Sequence, residues 1–240
     1  MTGLLSVTDV SKRFRGLTAV SRVSFDVQPG EMFAVIGPNG AGKTTLFNMI
    51  AGAMAPDGGS ITFAGEKIHG LRSDQIAQRG IGRTFQLVRP FPSLSVEDNV
   101  VVGALMQTNS LEGARSIAHE VMSQLDLLSK RAQIASSLTL PDRKRLEVAR
   151  ALAGRPKLLL LDEVMAGLRP TETDRIVAIL RDLNRAGLTI LLIEHVMRAV
   201  AALASRILVL HHGAAIAEGT PDNVLRNPAV IESYLGAEAL

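Results

Sequence analysis

The chain has 240 residues, enough for one large domain or one domain with an insertion, and its 47% hydrophobic content supplies a sizeable core. Aromatic residues make up only 3%, with no Trp and one Tyr, so Leu, Val, Ile and Ala must fill that core, which argues against an all-β sandwich. The formal charge of +3 is mild, and the absence of cysteine excludes disulfides, thiolate zinc sites and cysteine nucleophiles.

The N-terminus, Met1-Thr-Gly-Leu-Leu-Ser, lacks the charged-then-apolar layout of a signal peptide. Residues 4–10 and 20–27 read as strands, the second ending at the turn Gln28-Pro29-Gly30. Met32–Ile36 is a short, wholly apolar run, as a buried parallel strand requires. A glycine-rich loop follows at once, then a helix over 44–50 that Ala51-Gly52 stops. Pro56-Asp57-Gly58-Gly59 is a turn, and 60–63 a strand. From about 87 to 150 helical signals take over, at 95–99 and 110–128. Pro141 then sits where the first turn of a helix tolerates it, ahead of the stripe Leu146, Ala149, Leu152 and Ala153. The basic run Arg143, Lys144, Arg145 and Arg150, around Glu147, reads as a solvated helix face. No aromatic residues interleave it to stack bases, so no nucleic-acid partner is expected.

Residues 158–161 form an apolar strand ending in Asp162-Glu163. Thr171 and Asp174 resemble a capping box ahead of an amphipathic helix with Ile176, Ile179, Leu180 and Leu183 on one side. Residues 188–193 form another buried strand, ending in Glu194-His195; a strand at 207–210 and a short helix opened by Thr220-Pro221 complete the chain. No uncharged apolar run approaches the roughly 20 residues that cross a bilayer. A cytoplasmic chain is expected, with any spanning done by other chains. Alternating buried strands and helices predict an α/β fold with a mainly parallel sheet.

Gly37-Pro38-Asn39-Gly40-Ala41-Gly42-Lys43-Thr44 matches the phosphate-loop pattern at every fixed position. Glycines let successive backbone N–H groups turn toward phosphate oxygens, and the helix start adds further free donors. Lys43 is expected to reach the β- and γ-phosphates of ATP, Thr44 to ligate Mg²⁺, and Thr45 to bond the α-phosphate. A carboxylate at the end of a buried parallel strand faces the ligand crevice. Asp162 is therefore expected to hold Mg²⁺, and Glu163 to polarise the attacking water. His195, at the end of the next strand, is placed to touch the γ-phosphate. Gln86, where strand-rich sequence gives way to helical sequence, is placed to bond Mg²⁺ or the attacking water. His211-His212 has no ligand spacing and reads as a polar turn before Gly213.

With these residues assembled, the chain resembles the nucleotide-binding subunit of an ABC transporter from about residue 4 to 236. The order of phosphate loop, Gln86, Asp162-Glu163 and His195 is that family's order. Gly82-Arg83-Thr84-Phe85-Gln86-Leu87-Val88-Arg89 and the tail from Gly219-Thr-Pro to Tyr234-Leu-Gly236 look most like subunits of branched-chain amino acid importers. Lipopolysaccharide-export and urea-import subunits share several of these features. The resemblance implies a P-loop NTPase core at 1–86 and 154–240, with an N-terminal antiparallel β portion and an inserted helical subdomain at 87–153. It implies adenine stacking on Phe14. It also implies a head-to-tail dimer with a second ATPase subunit, docking on integral membrane permeases at the cytoplasmic face, and an indirect link to a periplasmic binding protein. The alternative of a non-transport ABC ATPase lacks its usual coiled-coil, zinc or tandem-cassette features.

The family signature, usually LSGGQ, falls at Leu138-Thr139-Leu140-Pro141-Asp142. Thr139 retains a hydroxyl for the partner's γ-phosphate. Pro141 has no N–H to donate, Leu140 replaces a glycine, and Asp142 places a negative charge near a phosphate position. The departure favours a heterodimer with a paralogous subunit.

Overall fold

The computed structural model describes residues 3–84 and 90–238. Its first part runs β1 (Leu5–Phe14), β2 (Leu17–Val27), β3 (Met32–Ile36), α1 (Lys43–Ile50), β4 (Gly58–Phe63), β5 (Glu66–Lys67), α2 (Ser73–Gln78) and β6 (Ile81–Arg83). Three helices follow: α3 (Val96–Ala104), α4 (Leu111–Gln124) and α5 (Leu140–Ala153). Then come β7 (Leu158–Asp162), α6 (Pro170–Arg185), β8 (Thr189–Ile193), α7 (Met197–Leu203), β9 (Arg206–His211), β10 (Ala214–Gly219), α8 (Pro221–Leu225) and α9 (Pro228–Glu238).

The main sheet has the order β10-β9-β3-β8-β7-β6 and is parallel except for β10. β3, β7 and β8 are buried at all five positions each, which is why they read as unbroken apolar runs. Successive side chains still point to opposite faces. Ala34, Ile36, Leu159, Leu161, Ile190 and Leu192 join the core that contains residues of α3 to α7. Phe33, Val35, Leu158, Leu160, Leu191 and Ile193 join the core shared with α1 and the antiparallel sheet β2-β1-β4-β5. The architecture is thus α/β, as expected.

Several local readings are corrected. β1 runs four residues beyond Val10 and carries Phe14 out on a hairpin; register shifts between Val7 and Arg13 break the alternation there. The start of α6 is not held by Thr171 and Asp174. Pro170 is its first residue, and the Arg169 backbone N–H donates to the Glu172 carboxylate at 2.8 Å. Thr220-Pro221 opens α8, but α9 follows it. The basic run on α5 is not a solvated face: Lys144, Arg145 and Glu147 are only 5%, 7% and 5% exposed. α5 packs against α3 and α4, and its charges find partners on other elements: Lys144 the Glu163 carbonyl, and Arg145 the Leu125 and Asp126 carbonyls.

Candidate nucleotide site

Register gathers the site. Val35 pairs with Ile193, and Ile193 pairs with Asp162. The segments leaving β3, β8 and β7 therefore emerge side by side at the carboxyl edge of the sheet. They carry the phosphate loop, Glu194-His195 and Glu163.

The phosphate loop depends on glycine at two close approaches. Gly37 has φ of 146°, and a Cβ there would lie 2.1 Å from the Leu210 carbonyl oxygen. Gly42 has φ of 102° and caps the start of α1; a Cβ would lie 2.3 Å from the Ala19 carbonyl oxygen. The turn after β9 braces the loop from outside, with the Gly213 N–H donating to the Ala41 carbonyl at 3.1 Å. Lys43 is buried at 6% exposure, and its Nζ donates to the carbonyls of Gly37 at 2.6 Å and Pro38 at 3.0 Å. Burial lowers its pKa, opposed by the nearby Glu163 and Asp162 carboxylates. Thr44 is exposed and Thr45 half-buried in the first turn of α1. A cavity of about 520 Å³ opens over this loop. Asn39, Gly40, Ala41, Gly42, Lys43, Thr44 and Thr45 line it, while Phe14, Glu163 and His212 stand on its walls. Phe14 is 45% exposed, a rim position and not a core one.

Asp162 is 1% exposed. Its N–H donates to the Thr84 hydroxyl at 3.1 Å, and Arg83 donates to Oδ2 at 3.4 Å. Burial pushes the Asp162 carboxyl up, against the pull of Arg83. Among the described residues its buried Oδ1 has no hydrogen-bond partner. An orphaned carboxylate oxygen, together with an exposed Thr44 hydroxyl, is a hard-oxygen donor set of the kind Mg²⁺ takes. These residues fit the ion.

Glu163 turns the chain in the left-handed region, with φ of 51°. Its N–H donates to the Ile193 carbonyl at 2.9 Å, and its own carbonyl accepts from Lys144 Nζ at 2.9 Å. Its carboxylate meets His195, with Oε1 2.7 Å from Nε2. The two candidate residues are thus brought into direct contact. Gln86 lies outside the described residues.

Thr139 caps α5, accepting from the Asp142 N–H at 3.4 Å and donating its hydroxyl to Asp142 Oδ2 at 2.7 Å. Asp142 is 3% exposed and is also held by Lys130 and Arg145. The negative charge expected near the phosphate position is thus buried and compensated. Burial pushes this carboxyl up, but the hydrogen bonds from Lys130, Thr139 and Arg145 prevail and lower its pKa.

Two residues escaped sequence reasoning. His212 does sit in a turn before Gly213, but that turn borders the cavity. Glu194 is 1% exposed, and burial raises its pKa to about 7. The signal for Glu194 was an acidic residue at the end of a fully buried strand, the same signal that marked Asp162.

A parallel sheet with a phosphate loop, two acidic residues and a histidine at adjacent strand ends defines a P-loop nucleotide-binding ATPase. A family profile described as ABC transporter matches residues 20–166, and one described as branched-chain amino acid ATP-binding cassette transporter matches 216–239. The chain belongs to the ABC transporter family, as one of its ATP-binding cassettes. It is 41% identical to the Escherichia coli K12 high-affinity branched-chain amino acid transport ATP-binding protein LivG, over 97% of this chain and 98% of that one. It is 39% identical to the corresponding Pseudomonas aeruginosa protein BraF, with the same coverage. Its fold matches the ADP conformation of MJ1267, an ATP-binding cassette of an ABC transporter, with TM-score 0.90 and 30% identity, over 98% of this chain and 100% of that one.

Proposed function

We propose that the chain hydrolyses ATP to power an ABC importer of branched-chain or other hydrophobic amino acids. The observation that carries this reading is the near-full-length likeness to LivG and BraF, with the tail profile at 216–239. In this reading Phe14 stacks on adenine, residues 37–45 hold the phosphates, and Lys43 leaves its loop carbonyls for the β- and γ-phosphates. Thr44, Asp162 and Gln86 hold Mg²⁺, which when bound neutralises developing charge on the phosphates. Glu163 takes a proton from the attacking water, and His195 orients Glu163 and meets the γ-phosphate.

Residues 87–153 act as the helical subdomain and the remainder as the core. Among the described residues no helix is long and apolar enough to cross a membrane. In this reading permease subunits supply the pathway and this chain works at the cytoplasmic face. A cleft of about 350 Å³ between α2, β6, α3 and α5 suits a permease segment. Val102 and Met106 on its wall are 41% and 49% exposed. A second ATPase subunit completes the site head to tail. The Thr139 hydroxyl is engaged by Asp142, and Pro141 lacks an N–H, so this chain gives its partner's phosphate little. That favours a heterodimer, with a periplasmic binding protein acting through the permeases. The test is reconstitution with permeases and binding protein in vesicles. Leucine, isoleucine or valine should stimulate ATP hydrolysis; stimulation only by an unrelated solute would overturn the assignment.

A further inference from the structure

The loops that carry Glu163 and His195 share an internal tie that the proposed mechanism does not use. After the left-handed turn at Glu163, the chain runs inward, and Val164 and Met165 are 2% and 0% exposed. A buried backbone N–H in such a segment requires an acceptor. Met165 finds it in Glu194, whose Oε1 accepts the Met165 N–H at 2.8 Å. The other oxygen, Oε2, accepts the N–H of His195 at 3.3 Å.

We infer that Glu194 is a positioning residue, its buried carboxylate stitching the loop after Glu163 to the loop of His195 and so setting the contact between those two side chains. This rests on the roles proposed above for Glu163 and His195. Two N–H donors converge on one side chain, and only a carboxylate offers each an acceptor oxygen. Burial disfavours the ionised form, but the two N–H donors work against that penalty. Lys144 of α5 attracts Glu194, although Glu163 repels it. Lys144 also donates to the Glu163 carbonyl at 2.9 Å. Residues 163–165 are therefore held at three points, the N–H and carbonyl of Glu163 and the N–H of Met165. Two of the three ties lead to the end of β8. A buried ionisable group is costly, and apolar packing would serve stability better. Its presence here is explained by the geometry it imposes. Glu194 does not line the cavity over the phosphate loop, so its effect falls on the reacting groups and not on nucleotide binding.

The experiment compares wild type, Glu194→Gln and Glu194→Asp in the assembled transporter, with backbone amide NMR of the nucleotide-free full chain. Gln is isosteric but turns an NH₂ toward one of the two N–H donors. The expected result is a kcat loss on the order of tenfold, with KM for ATP unchanged and the Met165 and His195 amide signals shifted. Unchanged kcat or unmoved amide signals would overturn the inference, as would an equal loss of ATP affinity. Should Glu194→Gln fail to fold, Glu194→Asp decides, because it draws the two acceptors back by one methylene. Reduced kcat at unchanged KM supports the role, and wild-type kcat refutes it. If Glu163→Gln leaves hydrolysis intact, it is the assignment of the base that fails; the amide signals still test the stitch.

Discussion

His195 Nε2 lies 2.7 Å from Glu163 Oε1, across the ends of two neighbouring parallel strands. The pair has the geometry of a base and its orienting partner. Glu163→Gln is expected to reduce ATP turnover by roughly 10²–10⁴-fold, the usual contribution of a positioned base. Nucleotide binding should survive, because the Gln side chain has the same shape. Steady-state ATPase assays of the assembled complex, paired with nucleotide titrations, check both halves. Intact turnover would remove Glu163 from the mechanism.

Lys43 is already held inside the phosphate loop by the carbonyls of Gly37 and Pro38. A buried cation whose described hydrogen bonds both go to neutral carbonyls is ready to exchange them for anionic oxygens. Lys43→Ala should weaken ATP binding by roughly tenfold to a hundredfold, from the loss of a charge-assisted bond of about 1.5–3 kcal/mol. Titration with a fluorescent ATP analogue reads this directly. Unchanged affinity would mean that the phosphates lie elsewhere.

Much of this site was legible because strand, loop and helix signals agreed. Met32–Ile36 is apolar throughout, the phosphate loop follows it without a gap, and Asp162 ends a run of four leucines. What stayed hidden was three-dimensional pairing. The i,i+3 spacing of Asp142 and Arg145 allows their pairing, but nothing in the sequence says that Lys130 joins them, since it arrives from a separate turn. Likewise, Lys144 looks like a surface charge until β7 brings the Glu163 carbonyl beneath it. Phe14 has no motif of its own in the sequence, and the irregular extension of β1 is what carries it to the rim.

The start of α5 separates a stability effect from a functional one. Asp142→Asn removes the charge between Lys130 and Arg145, but Arg145 keeps Asp126 and the Leu125 carbonyl and Lys130 is partly exposed, so the expected loss is about 1–3 kcal/mol. Denaturant unfolding of the isolated chain should show it. Because the Asp142 pKa is lowered in the folded state, its stabilisation is present above the ordinary value of 3.8 and fades as pH falls through the lowered one. Replacing Leu140-Pro141 by Gly-Gly instead restores a donor N–H and backbone access. ATPase of the assembled transporter should then rise; no change, or a fall, would count against a weakened contribution to the partner's site.

Glu194 yields a pH signature independent of turnover. Burial raises its carboxyl from the ordinary value of 4.5 to about 7, so between these limits the folded chain binds a proton that the unfolded chain releases. The stability contributed by the protonated group is complete below 4.5 and is lost as pH rises through about 7. Glu163 adds to this by repulsion, whereas Lys144 and the N–H groups of Met165 and His195 work against it. Glu194→Gln cannot ionise. Its stability relative to wild type should therefore be greater at pH 8 than at pH 4.5, by up to roughly 3 kcal/mol. The constant penalty for turning an NH₂ toward a backbone N–H cancels in that comparison. Urea unfolding of both chains across this range measures the difference. A gap that does not change with pH would show that Glu194 is ionised throughout the range in the folded chain.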